Sequence, residues 1–506
     1  MKKKTTLVSI VTLICLVVSL AIGVIVLGVN NGNLLKNNNE LLEQNNNFQE
    51  ANKNLLEQNE KLQNELADAK EDYDNLSNKY ENITANGEVF DFYINMGTMP
   101  TLYGTLNAYK NKNPNTYMWF MRGNTISKEY SADFIHYFET QSSTNAESTY
   151  DAHIIRNKVK EIYTKNPNAK FNVYVDDMRM HVILDMFVSV GIDFDALNIT
   201  IFSDGTYSYS SYHSLTAEKF KSHEALWKNA IAESVNSRDK EDYKPEAMLS
   251  DKFGHSAFYL STLSNVSYWI QQPDYLRNND TVLSANRYNM NIVHKDPKAI
   301  YQSLDDETRA EYQKVVLANA LVDNSELNTL DDAVNYFNNK FVNTDKEIVL
   351  ILGTNRETLE KNQPFLDKTL AFYTPTLDSD NNQLVHFKGK EYNIVAGATN
   401  VVVDNKQYTI GELAVNIYFK GHPSYNPSAD LVKYFNDNNI EILPKRTPVE
   451  VLFWMYDVKV GGYESTSLLS CQKGQVEFVF GNLNNAALVV MKELGFFNDT
   501  AVFDAN

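Results

Sequence analysis

Apolar and polar positions follow three different rhythms along this chain. Leu7 to Gly28 is a run of 22 residues without a charge. At ~1.5 Å per residue it is long enough to cross a ~30 Å hydrocarbon core as a helix. Lys2, Lys3 and Lys4 precede it, and the positive-inside rule then predicts a cytoplasmic tail (1–6), a transmembrane helix (7–28) and a remainder that is extracellular or luminal. A cleaved signal peptide is the competing reading. The length of the run and the lack of an Ala-x-Ala site after it favour an uncleaved anchor.

The second rhythm has a period of seven. Leu34, Leu41, Phe48, Leu55, Leu62, Ala69, Leu76 and Ile83 form one series, and Asn38, Asn45, Asn52, Asn59, Leu66, Tyr73 and Tyr80 form the other. These are the d and a positions of a coiled coil. Asparagine at a costs stability but sets register and favours two parallel strands. The stalk (29–87) is therefore expected to pair two copies of the chain, and its ~50 heptad residues to hold the globular part roughly 75 Å from the bilayer. An Asn-rich disordered spacer is the reading that composition alone would give.

Beyond Asn86-Gly87 the pattern becomes that of an α/β protein. Glu347-Ile348-Val349-Leu350-Ile351-Leu352-Gly353-Thr354 reads as a strand buried on both faces, as in a parallel sheet. About 420 residues exceed one ordinary core, so two domains are expected. The division is 88–235, a helical connection (236–340) and 341–492, with 493–506 packing back on the first domain.

Composition narrows the partners. Asp and Glu outnumber Lys and Arg 64 to 46, a net charge of −18, and no basic stripe offsets it, which argues against nucleic acid. The two cysteines are Cys15, inside the apolar run, and Cys471, so the soluble part has no intrachain disulfide. His213, His223 and His255 are scattered without metal-ligand spacing. Tyr207-Ser208-Tyr209-Ser210-Ser211-Tyr212 reads as a half-buried strand or loop edge, or as the lining of an acceptor site. Asn82-Ile83-Thr84, Asn198-Ile199-Thr200 and Asn265-Val266-Ser267 match the glycan-acceptor pattern.

Three clusters carry candidate chemistry. Lys420-Gly421-His422-Pro423 ends the apolar run Ala414 to Phe419 and puts an imidazole and a cation at a strand's carboxyl end, where open α/β sheets bind ligands. A plain turn is the bland alternative. Val458-Lys459-Val460 runs into Gly461-Gly462 and then Ser465-Thr466-Ser467, which reads as strand, glycine turn and helix start. Such a turn can hold a phosphate, although Ser465 or Thr466 would equally serve as a helix cap. Asn198 to Phe202 ends in Ser203-Asp204-Gly205. There a carboxylate can act as general base, or the Asp-Gly can be only a turn.

In order and spacing the three clusters resemble the bacterial sialyltransferases of glycosyltransferase family 80. The likeness is clearest in Ile417 to Pro423 and in Val449-Glu450-Val451-Leu452 followed by Lys459-Val460-Gly461-Gly462 and Ser465. It extends more weakly over 89–506, with Phe92-Tyr93-Ile94-Asn95 and Phe120-Met121-Arg122 similar to the first two strands. The resemblance implies a GT-B fold, two Rossmann-like domains facing a cleft, and an inverting transfer that needs neither metal nor cofactor, with CMP-sialic acid as donor substrate and a galactoside-type glycan as acceptor. It makes Asp204 the base and His422 the acid. It assigns the phosphate to Ser465 and Thr466, the ribose to Glu450, nucleotide contacts to Lys420 and Gly421, and the acceptor side to Arg122. Asp176 and Arg179 stand where the family carries an asparagine and a histidine. Two alternatives remain open: another nucleotide sugar on the same fold, or a surface-exposed glycan-binding or adhesion protein on an inactive transferase scaffold.

Overall fold

Seven apolar stretches between Val89 and Val293 lie side by side in one wholly parallel sheet: β1 (Val89–Asn95), β2 (Thr116–Phe120), β3 (Ile135–Tyr137), β4 (Lys170–Asp176), β5 (Leu197–Phe202), β6 (Val266–Trp269) and β7 (Ile292–Val293), in the order β3-β2-β1-β4-β5-β6-β7. The central strands are buried over most of their length, as a sheet covered on both faces requires. The chain runs outward from β1 to β3, then returns to β4 and runs the other way. The order therefore reverses between β1 and β4, a switch point at whose carboxyl ends open α/β sheets bind ligands.

A computed structural model describes residues 87–120, 125–138, 148–236, 253–273, 276, 289–344, 346–353, 358–374, 376–377, 380–387, 390–395, 398–403, 406–409, 413, 415–423, 425–463, 465–472, 474–480 and 502–503. The apolar run, the heptads and Arg122 lie outside the described residues. Among the described ones, no helix is long and apolar enough to cross a membrane.

The second parallel sheet has the same logic. β8 (Ile348–Leu352) is followed by two small antiparallel sheets, one of β9 (Thr376–Leu377), β10 (Gln383–Phe387) and β11 (Lys390–Ile394), the other of β12 (Asn400–Val403) and β13 (Lys406–Thr409). The main sheet resumes with β14 (Asn416–Lys420), β15 (Glu441–Ile442), β16 (Lys459–Tyr463), β17 (Val476–Phe480) and β18 (Val502–Phe503), in the order β15-β14-β8-β16-β17-β18. Its reversal lies between β8 and β16. One hydrophobic core runs from the first sheet through the helices Pro297–Ser303, Asp306–Leu317 and Leu330–Phe341 to one face of the second, while Val349, Ile351, Phe419 and Phe478 form the core of the opposite face.

Several sequence expectations change. Region 236–340 supplies β6 and β7 to the first sheet as well as helices, since strands of four and two residues are too short for alternation to register. Val502–Phe503, within the segment expected to pack on the first domain, instead extends the second sheet beside β17. The tyrosine-rich segment is a helix, Thr206–His213, with Tyr209 and Tyr212 in the core and Tyr207 exposed. Its serine–tyrosine alternation imitates a strand, but the buried pair is three residues apart, one helical turn. Asn265 donates its side-chain amide to Phe194 O (2.8 Å) and Leu197 O (3.0 Å), so this match to the acceptor pattern is a structural asparagine.

Candidate active site where the two halves meet

Both reversals of strand order place loops in the space between the halves. In the first, β1 leads through Met96-Gly97 into the helix Thr98–Asn111, and β4 ends in Asp176-Asp177. Asp176 Oδ2 accepts the backbone N–H groups of Met96 and Gly97 (3.2 Å for the latter), while its Oδ1 accepts Met178 N at 3.0 Å. A carboxylate here suits the positive start of the helix. Burial nevertheless raises the Asp176 carboxyl to about 6, with Asp177 adding to the rise and the two N–H groups and Arg179 opposing it. The neighbouring Arg179 guanidinium is lowered by burial, partly offset by Asp176. His181, close by, is pushed down to about 4 by burial and by Arg179.

Asp177 is also fully buried. Its Oδ2 accepts the hydroxyls of Ser208 (2.5 Å) and Tyr268 (2.6 Å), and its Oδ1 accepts the Asp204 backbone N–H at 3.3 Å. Burial raises its carboxyl, against the pull of those hydroxyls. Ser203 Oγ lies 2.8 Å from Ser208 Oγ and accepts Gly205 N at 3.2 Å. Asp204 stands two residues beyond β5, on a turn whose next residue, Gly205, has φ 103° and ψ −134°, a conformation open to glycine. Gly97 faces the same carboxylate, and a Cβ there would overlap Asp204 Oδ1.

The second half contributes two loops. Lys420 closes β14 with its side chain buried, and its Nζ donates to Gly421 O (3.0 Å) and Lys445 O (2.7 Å). His422 follows, half-buried, its ring centroid 4.9 Å from that of Tyr425. Beyond β16, Ser465 caps the 3-10 helix Thr466–Ser470, its Oγ accepting Ser467 N at 3.2 Å. Thr466 is exposed. Glu450 opens the helix Val449–Met455, is buried, and accepts Ser467 Oγ at 2.6 Å.

The glycine turn expected before Ser465 is absent. Gly461 and Gly462 are residues of β16 itself: a Cβ on Gly461 would enter the Phe478 ring, and one on Gly462, at φ 130°, would strike the Leu352 backbone. Both glycines permit close strand packing.

Contacts across the cleft join the halves at this point. A Cβ on Gly205 would lie 3.2 Å from Thr466 Cβ. Ser470 Oγ approaches Met99 Sδ at 3.2 Å, Gln472 Nε2 donates to Asp296 Oδ2 at 3.2 Å, and Tyr103 and Trp454 rings lie 5.8 Å apart. The turn that follows Asp204 and the start of the helix Thr466–Ser470 are thereby brought together. Sequence reasoning missed Gly97 and Asp177, and the pairing of Ser467 with Glu450, all of which depend on partners distant in the chain. The isolated histidines pack elsewhere: His223 and His255 rings sit 5.4 Å apart, paired with Ser256 and Ser214. Among the described residues no three His, Cys, Asp or Glu side chains are grouped to hold a metal ion.

Two halves, each a parallel sheet with one reversal of strand order, make an α/β protein of two Rossmann-like halves. No family model matches the chain, and no curated protein does. Solved structures do. An α/β-galactoside α-2,3-sialyltransferase from Photobacterium phosphoreum superposes with a TM-score of 0.55 at 15% identity, covering 83% of this chain and 98% of its own. The GT-B domain of a Photobacterium damselae sialyltransferase gives 0.55 at 13%, covering 82% and 99%. A 2,6-sialyltransferase from Photobacterium sp. JT-ISH-224, crystallised with the donor product CMP and the acceptor lactose, gives 0.54 at 13%, covering 82% and 78%. At these identities the likeness is one of fold: the chain is built as these GT-B sialyltransferases are.

Proposed function

We propose that this chain is an inverting, metal-independent glycosyltransferase that moves sialic acid from CMP-sialic acid to a galactoside-type glycan. The observation that carries the reading is the meeting of Gly205 with Thr466: the carboxylate turn of one half abuts the hydroxyl-bearing helix start of the other. The first half's helix entrance already receives an anion from within the chain, Asp176, so a nucleotide phosphate is better served by the second half.

In this mechanism Asp204 takes the proton of the acceptor hydroxyl as its oxygen attacks the anomeric carbon. The bond from that carbon to the phosphate oxygen breaks on the opposite face, and His422 donates a proton to the departing CMP. Ser465 and Thr466 hold the phosphate, and Glu450, oriented by Ser467, holds the ribose. Lys420 acts through the Gly421 loop that its buried ammonium ties down, and Arg122 serves the acceptor side. Residues 7–28 anchor the chain in a membrane and 29–87 pair two copies in parallel. Both roles predict that a chain starting at Gly87 stays in the supernatant as a monomer while the full-length protein sediments with membranes; co-sedimentation of the short form would end that part of the proposal.

The transfer is tested with the full-length protein, CMP-sialic acid and lactose, following CMP release and sialylated product. Asp204→Ala and His422→Ala should each lower kcat by about 10²–10⁴-fold. A second reading, another nucleotide sugar, is favoured by the two buried carboxylates Asp176 and Asp177 beside the base, which disfavour an anionic sugar. Turnover with a neutral nucleotide sugar and none with CMP-sialic acid would select it. Glycan binding without turnover of any donor would select an inactive scaffold.

A further inference from the structure

We infer that Asp177 is the positioning residue for Asp204, fixing the turn that presents the base through a closed network with Tyr268, Ser208 and Ser203. The inference deepens the transferase reading and rests on it for its catalytic consequence.

Where a side chain at the end of a strand points depends first on how its own backbone is held. Asp204 lies beyond the last pairing of β5 with β6, Phe202 with Trp269, so the sheet ladder does not hold it directly. Its amide is taken instead by Asp177 Oδ1. The other oxygen of the same carboxylate binds Ser208, in the first turn of the helix that follows, and Tyr268 of β6. Ser208 in turn sits against Ser203, whose hydroxyl receives Gly205 N. The residues before and after Asp204 are thus secured, through Ser203 and Ser208, to one buried carboxyl group just beyond β4, which Tyr268 of β6 also holds. The adjacent Asp176 secures the facing wall, since it holds the amide of Gly97, whose Cα borders the Asp204 carboxylate. Two consecutive aspartates therefore hold both sides of the base.

Asparagine at 177 separates geometry from charge. Its Oδ1 can keep the Asp204 amide while its Nδ2 donates to the two hydroxyl oxygens, which reverse by rotation. Alanine removes every contact. Steady-state kinetics and backbone hydrogen exchange of the full-length protein are compared for the unmodified chain, Asp177→Asn, Asp177→Ala, Tyr268→Phe, Asp204→Ala and the Asp177→Ala/Asp204→Ala double variant. We expect Asp177→Ala to lower kcat by about 10²-fold or more with the donor KM within about threefold, Asp177→Asn to recover most of the loss, and the double variant to be no slower than Asp204→Ala, because two residues acting as one unit are not additive. Exchange over 203–208 should quicken in Asp177→Ala and stay slow in Asp177→Asn.

Losses that multiply in the double variant, a changed KM at unchanged kcat, or unaltered exchange over 203–208 would overturn the inference. If Asp177→Ala does not fold, Tyr268→Phe decides: a kcat lowered several-fold at constant KM with faster exchange supports the network, and unchanged values sink it. If the unmodified protein turns over no donor, the transferase reading has failed, and the exchange comparison alone still tells whether Asp177 holds the turn.

Discussion

Gly97 shows how little room surrounds the proposed base. Its φ of −76° and ψ of 159° suit any residue, so alanine there meets no backbone strain, but its Cβ would overlap the Asp204 carboxylate and crowd Pro100 Cδ at 3.0 Å. Gly97→Ala should therefore displace Asp204 and cut kcat at least tenfold while leaving CMP affinity unchanged, as read by kinetics and calorimetry; equal kcat would separate Gly97 from the site. Asp176 makes a prediction in pH. Burial and Asp177 raise its carboxyl to about 6 from 3.8, against Arg179 and the Met96 and Gly97 amides. Below about pH 4 both folded and unfolded chains are protonated and no cost arises. Between about 4 and 6 the folded chain keeps a proton that the unfolded chain has lost, so stability from this group falls as pH rises, by about 3 kcal/mol in all. Denaturant midpoints measured from pH 4 to 6.5 should lose this downward contribution in Asp176→Asn, and an identical slope in both proteins would refute it.

At the scale of elements, β16 carries the clearest lesson. A strand containing Gly461-Gly462 looked like a strand followed by an anion-binding turn, because glycine pairs are the usual mark of such turns. The tertiary reason for the pair is close approach to Phe478 and Leu352 in adjoining strands. Gly461→Ala forces the Phe478 ring to move and should cost about 1–3 kcal/mol, as overpacking of a filled core does; an unchanged urea midpoint would contradict this. By contrast β8 was legible, because five consecutive buried residues, Ile348 to Leu352, admit little besides a two-sided strand. The loops that end β5 and β14 were legible too, since Asp204-Gly205 and Gly421-His422-Pro423 combine chemistry with backbone punctuation.

At the scale of the whole molecule, Ala85 to Asn506 is one compact unit in which the first sheet and one face of the second share a continuous core. Residues such as Phe202 and Trp454 belong to that core although they come from different halves. The two halves are accordingly expected to unfold together, in a single calorimetric transition whose van't Hoff and calorimetric enthalpies agree; two resolved transitions would show separate domains. The sequence by itself determined that there are buried parallel strands, that they form two sets, and which strand ends carry a carboxylate, an imidazole or hydroxyls. Those features are local, written in runs, periods and turn residues. Only the tertiary structure decided which buried polar groups meet. Asp176 reaches back 80 residues to Met96 and Asp177 forward 91 to Tyr268, because sheet order, not chain order, makes β1 and β5 the neighbours of β4 and sets β6 next beyond β5. A buried carboxylate takes the donors that sheet order places beside it, and no local pattern in the chain names them.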